Sequence, residues 1–159
     1  MKTFKEFTAT RKYVAVQYDK ESQDKLREWA IKNGFDLSVK YSGEKQDPKE
    51  FDFHTTVFYS TNEANIRNTT KKLPPTEVTI TKIKFLGDDK DIPVFEIALT
   101  DGIKELREYF EDLGLEDKWP SYEPHISLSY AKQKIDTSDI ELPNFKPKYD
   151  RLIIEDIKE

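Results

Sequence analysis

The sequence predicts an α+β fold in which one β-α-β-β unit is used twice, the two copies related by a pseudo-twofold axis around a central cleft. Three observations carry that expectation. Strand-like and helix-like patterns over residues 12–86 recur in the same order over residues 92–158. Both helical patterns stop at a glycine, Gly34 and Gly114. The two histidines among the 159 residues fall at matching points of the repeat and open the same short pattern, His54-Thr55-Thr56 and His125-Ile126-Ser127.

The elements follow in order. Residues 12–18 (Lys-Tyr-Val-Ala-Val-Gln-Tyr) are rich in β-branched and aromatic side chains and read as a strand. Leu26, Trp29 and Ala30 form the apolar stripe of a helix over residues 21–33. Residues 51–60 read as the strand that carries His54 and Thr56, followed by a short helix over 62–71 and a strand over 76–85. The second half repeats the order: a strand over 92–99, then a helix over 101–113 with Ile103, Leu106, Phe110 and Leu113 on one side. A strand over 123–130 carries His125 and Ser127, and a last strand covers 149–157. Residues 36–50, polar and holding Gly43 and Pro48, have no counterpart in the second half. They form either a surface insertion tolerated at low cost or a lid that brings Tyr41 or its lysines over a ligand.

Composition narrows the class. Hydrophobic and charged residues each make up 36% and aromatics 13%, as expected for a single folded domain over residues 1–159, with lobes of about 12–86 and 92–158 and a highly charged surface. No apolar run approaches the roughly 18 residues of a membrane helix, and Met1-Lys2-Thr3-Phe4-Lys5 has no signal-like apolar stretch. With no cysteine, disulfide and thiolate chemistry are excluded, and a cytoplasmic monomer with no membrane partner is expected. The net charge of −5 repels polyanions, so a small nucleotide suits this chain better than long RNA or DNA.

Residues i and i+2 of a strand share a face, so each histidine would stand beside a hydroxyl, Thr56 or Ser127. A lone H-x-[ST] carries little weight, and both histidines would show it by chance roughly one time in fifty. Its recurrence in equivalent strands of a repeat is what makes it informative. Two imidazoles flanking a phosphodiester can take a proton from the attacking oxygen and give one to the leaving oxygen, each step worth about 10²- to 10⁴-fold. The two hydroxyls would donate to the non-bridging oxygens as charge builds there. A catalytic zinc calls for three protein ligands and an open position, and no H-x-x-x-H, H-E-x-x-H or C-x-x-C occurs. Neither a P-loop, a G-x-G-x-x-G nor a nucleophile elbow occurs, and no metal or cofactor is expected. Tyr13 on the first strand and Glu155 within the apolar run of the last are further candidates for the cleft. Lys84 stands at the place equivalent to Glu155, and Trp119 and Tyr122 approach His125 across Pro120 and Pro124.

Paired H-x-[ST] strands in a duplicated β-α-β-β frame resemble the two-histidine (2H) phosphoesterase superfamily over essentially the whole chain. Within it, the short N-terminal segment Met1–Phe7 and a first histidine strand about fifty residues in resemble the phage anti-CBASS phosphodiesterases (anti-CBASS protein 1). That resemblance implies cleavage of the 3′–5′ bonds of small cyclic di- and trinucleotide immune signals by attack of a ribose 2′-hydroxyl, in the cytoplasm of an infected bacterium. It implies His54 and His125 as the acid–base pair, Thr56 and Ser127 as phosphate donors, and Tyr13 and Glu155 as substrate contacts, with Tyr18 as an alternative to Tyr13. A base-stacking tryptophan between the histidine strands has no candidate before Trp119. The alternatives are an RNA 2′,3′-cyclic phosphodiesterase or RNA-end processing enzyme, and a nucleotide sponge that binds without cleaving.

Overall fold

Strand pairing, more than helix packing, sets the architecture. The computed structural model describes residues 10–119 and 121–157, so Met1–Phe7 and Pro120 lie outside it. Along these residues run β1 (Thr10–Tyr18), α1 (Lys20–Lys32), β2 (His54–Ala64), β3 (Thr69–Glu77) and β4 (Ile80–Leu86). Then come β5 (Ile92–Ile97), α2 (Asp101–Asp112), β6 (His125–Ser127) and β7 (Lys148–Asp156). The strands form two antiparallel sheets, ordered β2-β1-β7-β3 and β4-β5-β6.

The repeat is visible in these orders. Strands β2-β1-β7 and β6-β5-β4 each run from a histidine strand through a central strand to a third strand taken from the other half of the chain. The sheets therefore do not coincide with the segments 12–86 and 92–158: β4 joins the second sheet and β7 the first. The exchange follows from burial. Leu152 and Ile154 of β7 enter the same core as Val14 and Val16 of β1, their paired neighbours.

Both helices are capped at each end. Asp19 accepts from Ser22 N at 2.8 Å and Thr100 from Ile103 N at 3.1 Å, each satisfying a donor of a first turn. Gly34 and Gly114 take φ of 86° and 97°, the left-handed conformation that ends a helix at least cost. Leu26 and Ala30 of α1 and Ile103 and Phe110 of α2 are fully buried in one shared core.

Several expectations are corrected. The helix expected over 62–71 is absent; that stretch holds the end of β2, a connection and the start of β3. Ile66, Thr69 and Thr70 favour extended backbone, and Pro74-Pro75 are accommodated by an irregularity in an edge strand. The strand expected over 76–85 is divided at Val78-Thr79, where the chain crosses between sheets. The strand expected over 51–60 begins at His54 and runs on to Ala64, while that expected over 123–130 is confined to three residues. Leu113 caps α2 and is 48% exposed, off the apolar stripe assigned to it. Residues 36–50 fold back on themselves through a Val39–Lys45 bridge and end in a 3₁₀ turn, Pro48–Glu50.

Candidate active site

Alternation along the central strands decides what faces the cleft. In β1, Val14, Val16 and Tyr18 point into the core, leaving Tyr13, Ala15 and Gln17 on the opposite face. Gln17 is paired with His54 and Ala15 with Thr56, so the histidine and hydroxyl of β2 share that face. In the second sheet Glu96 is paired with His125 and Val94 with Ser127. All four candidates are partly exposed, whereas Thr55 and Ile126, between them, are wholly buried. Strands β2 and β6 lie against each other, and the charge of His54 is felt at His125. The structure thus brings together two imidazoles that lie in different halves of the chain.

The rings are oriented alike. His54 Nδ1 lies 3.1 Å from the carbonyl oxygen of Asp52, and His125 Nδ1 lies 2.9 Å from that of Glu123. A carbonyl only accepts, so each Nδ1 carries the hydrogen and each Nε2 remains free to exchange a proton. Burial disfavours the imidazolium of His125 and holds its pKa below the ordinary value; the Glu123 carbonyl opposes this, while the positive charges of Lys84 and His54 reinforce it. His125 is set up as a neutral imidazole. The Asp52 carboxylate lies 4.0 Å from His54 Nδ1.

One hydroxyl is held by a tyrosine and the other stands beside one. Thr56 Oγ1 is 2.9 Å from the Tyr13 hydroxyl, and Ser127 lies near enough to the Tyr130 hydroxyl to oppose the rise of its pKa. Burial raises the pKa of both phenols, so both stay protonated. Tyr130 is a site residue the sequence reading missed, and a signal for it exists. The matching segments run Asp52-Phe-His-Thr-Thr-Val-Phe-Tyr59 and Glu123-Pro-His-Ile-Ser-Leu-Ser-Tyr130, with an acidic residue two before each histidine and a tyrosine five after. Strict alternation would turn Tyr59 away from Thr56. A bulge at Val57, where Val14 pairs with Phe58 and Ala15 with Thr56, returns Tyr59 to the cleft face opposite Tyr13.

Glu155 is exposed and paired with Tyr13 across β1 and β7, on the cleft side. Register corrects its supposed equivalence with Lys84: Glu155 corresponds to Leu86, and Lys84 to Ile153. Lys84 lies 3.8 Å from Glu96 and 3.7 Å from Glu123, beside His125. Tyr18 is buried in the core, 2.8 Å from Thr55 Oγ1, and does not reach the cleft. The Tyr122 hydroxyl donates to the Thr56 carbonyl at 2.6 Å, bracing the first histidine strand from the other half. Tyr41, 86% exposed, meets Tyr130 edge-on at 5.5 Å, so the 36–50 segment reaches the Ser127 side of the cleft. A separate open groove of about 390 Å³ lined by Phe85, Lys90 and Lys134 contains neither histidine. Among the described residues no three His, Cys, Asp or Glu side chains cluster as metal ligands would, and no helix is long and apolar enough to cross a membrane.

This architecture is that of the 2H phosphoesterases. E. coli LigT crystallised with phosphate superposes with a TM-score of 0.53 at 13% identity, covering 92% of this chain and 86% of that one. LigT with 3′-AMP gives 0.50 at 12% identity, covering 92% and 87%. No curated protein sequence matches the chain. The family described as "Anti-CBASS protein Acb1" matches residues 10–159, and the chain belongs to that family.

Proposed function

We propose that the protein is a phosphodiesterase that opens cyclic di- or trinucleotide immune signals without help from a metal. The observation that carries this reading is the pair of like-oriented histidines, one from each sheet, with their Nδ1 atoms tied to main-chain carbonyls. Membership of the anti-CBASS family and the LigT-like fold support phosphodiester chemistry in general; LigT itself has been crystallised with phosphate and with 3′-AMP.

The proposed reaction runs in two steps. Neutral His125 takes the proton of a ribose 2′-hydroxyl, whose oxygen attacks the adjacent phosphorus. The P–O5′ bond breaks, and the leaving 5′-oxygen takes a proton from His54. The product carries a 2′,3′-cyclic phosphate, and addition of water with the proton roles reversed yields a linear 3′-phosphate. Thr56, held by Tyr13, and Ser127, beside Tyr130, donate to the non-bridging oxygens as negative charge develops. Tyr13 and Glu155 contact the bound nucleotide. The substrate is small enough to be enclosed despite the net charge of −5.

The test is to incubate purified protein in EDTA with 3′,3′-cyclic GMP–AMP, a cyclic trinucleotide and an RNA ending in a 2′,3′-cyclic phosphate, and to separate the products. Opening of the rings is expected. Cleavage of RNA ends alone would make this an RNA-processing enzyme, and tight binding with intact rings would make it a sponge. Replacing either histidine with alanine should cost at least about 10²-fold in rate.

A further inference from the structure

The two histidines stand at equivalent places, yet the charges around them are arranged differently. Gln17 is paired with His54 and Glu96 with His125, and an acidic residue, Asp52 or Glu123, precedes each histidine by two positions. Beside His125 two carboxylates share a cation, with Lys84 Nζ 3.8 Å from Glu96 and 3.7 Å from Glu123. Beside His54 the central-strand position holds a neutral amide instead, and Gln17 Nε2 donates to Asp52 Oδ1 at 2.7 Å. Gln23 Nε2, from α1, donates to the same oxygen at 3.1 Å. Amide donors orient a carboxylate without cancelling its charge. The other oxygen of Asp52, Oδ2, lies 4.0 Å from His54 Nδ1.

Gln23 grips the backbone as well. Its Oε1 accepts from Phe53 N at 2.8 Å and its Nε2 donates to Phe53 O at 2.7 Å, a two-point hold on the residue between Asp52 and His54. The Phe53 ring is fully buried, which anchors the same residue from the core side. The entry to the first histidine strand is thus fixed from α1 and from β1 together. What it fixes are the two acceptors of Asp52 that face His54 Nδ1, the carbonyl oxygen at 3.1 Å and the carboxylate. Water would satisfy a carboxylate that is 47% exposed, so stability alone does not call for two amide donors on one of its oxygens.

We propose that Asp52, oriented by Gln17 and Gln23, is a positioning residue that aims His54 as the general acid and faces its imidazolium with a negative charge. The inference rests on the functional reading above and names the residues that make the two histidines unlike. As the 2′-oxygen bonds to phosphorus and the P–O5′ bond breaks, the leaving 5′-oxygen takes the proton on His54 Nε2. The hydrogen on Nδ1 stays with the Asp52 carbonyl, so the ring cannot turn while it gives up the other. On the opposite side Lys84 engages the carboxylates that would otherwise favour a charged His125, and that ring is left to act as the base.

The test changes the leaving atom of the substrate. The probes are 3′,3′-cyclic GMP–AMP and the same ring with sulfur in place of both bridging 5′-oxygens; a thiolate leaves as a stable anion and needs no proton. Asp52→Asn keeps the shape and still accepts from both glutamines. Its kcat on the oxygen ring should fall roughly 10- to 100-fold, part of what a positioned acid supplies, while the sulfur ring should lose less than about threefold. Adding Asp52→Asn to His54→Ala should cost nothing more, because the aspartate acts through that imidazole. Equal losses on the two rings, an unchanged kcat in Asp52→Asn, or a further loss in the double variant would overturn the positioning role while leaving the phosphodiesterase reading in place. Wild-type protein that opens neither ring would instead remove the cyclic-nucleotide reading, and the positioning role with it.

Discussion

His125 is where burial and chemistry meet most directly. Its imidazolium is disfavoured first by burial and then by the positive charges of Lys84 and His54, so its pKa lies below the ordinary 6.5. If His125 accepts the first proton, the acidic limb of kcat/KM against pH should fall below 6.5, because activity is lost only once that ring is protonated. Lys84→Met removes one of the charges that depress the value. The limb should then move to higher pH, and an unmoved limb would take the base role away from His125. The same shift predicts a stability effect. Between 6.5 and the lower native value the unfolded chain binds a proton that the native one refuses. Stability is therefore full above 6.5 and declines as the pH falls through that window. His125→Asn should flatten that part of a urea-denaturation series measured against pH.

The decisive element is β2, because its bulge at Val57 sets which side chains face the cleft. A bulge frees backbone groups from the ladder, and those groups need partners. Here they come from the other half of the chain: Arg107 of α2 donates to Val57 O at 2.6 Å, and Tyr122 donates to Thr56 O at 2.6 Å. Arg107 is itself nearly buried, 2.6 Å from the equally buried Asp117 carboxylate and 4.0 Å over the Tyr122 ring. Arg107→Met would strand that carboxylate and the Val57 carbonyl, and denaturant unfolding should register a loss of about 3–5 kcal/mol. Tyr122→Phe removes one hydrogen bond and should cost about 1 kcal/mol. It should also lower kcat, since the unsupported carbonyl belongs to the residue that supplies the Thr56 hydroxyl. At the start of α2, Thr100→Ala removes the cap on Ile103 N, for about 1 kcal/mol in the same assay.

At the scale of the whole molecule, the proposed ligand is an anion and the chain is acidic, with a net charge of −5. A ring with two or three phosphates presents few charges to neutralise, so its KM should rise only about tenfold between 50 and 200 mM salt. A loss of about 10³-fold or more over that range would point to a long RNA in the cleft. Most of the architecture was legible in local pattern. The stops Gly34 and Gly114, the apolar stripes and the recurring H-x-[ST] are short-range signals, written within a few residues of the structure they specify. The helix expected over 62–71 failed because strand formation there depends on pairing with β7, some eighty residues away in sequence. The true counterpart of Glu155 was missed for a related reason, since it depends on register. By itself the sequence determined the α+β repeat and the two pairs of histidine and hydroxyl, because helix and strand periodicity and i, i+2 geometry act locally. Only the tertiary structure decided that β4 and β7 change sheets, that a bulge turns Tyr59 into the cleft, and that the two imidazoles meet. Each of those outcomes is settled by long-range pairing and shared burial, to which no single segment of the chain holds the information.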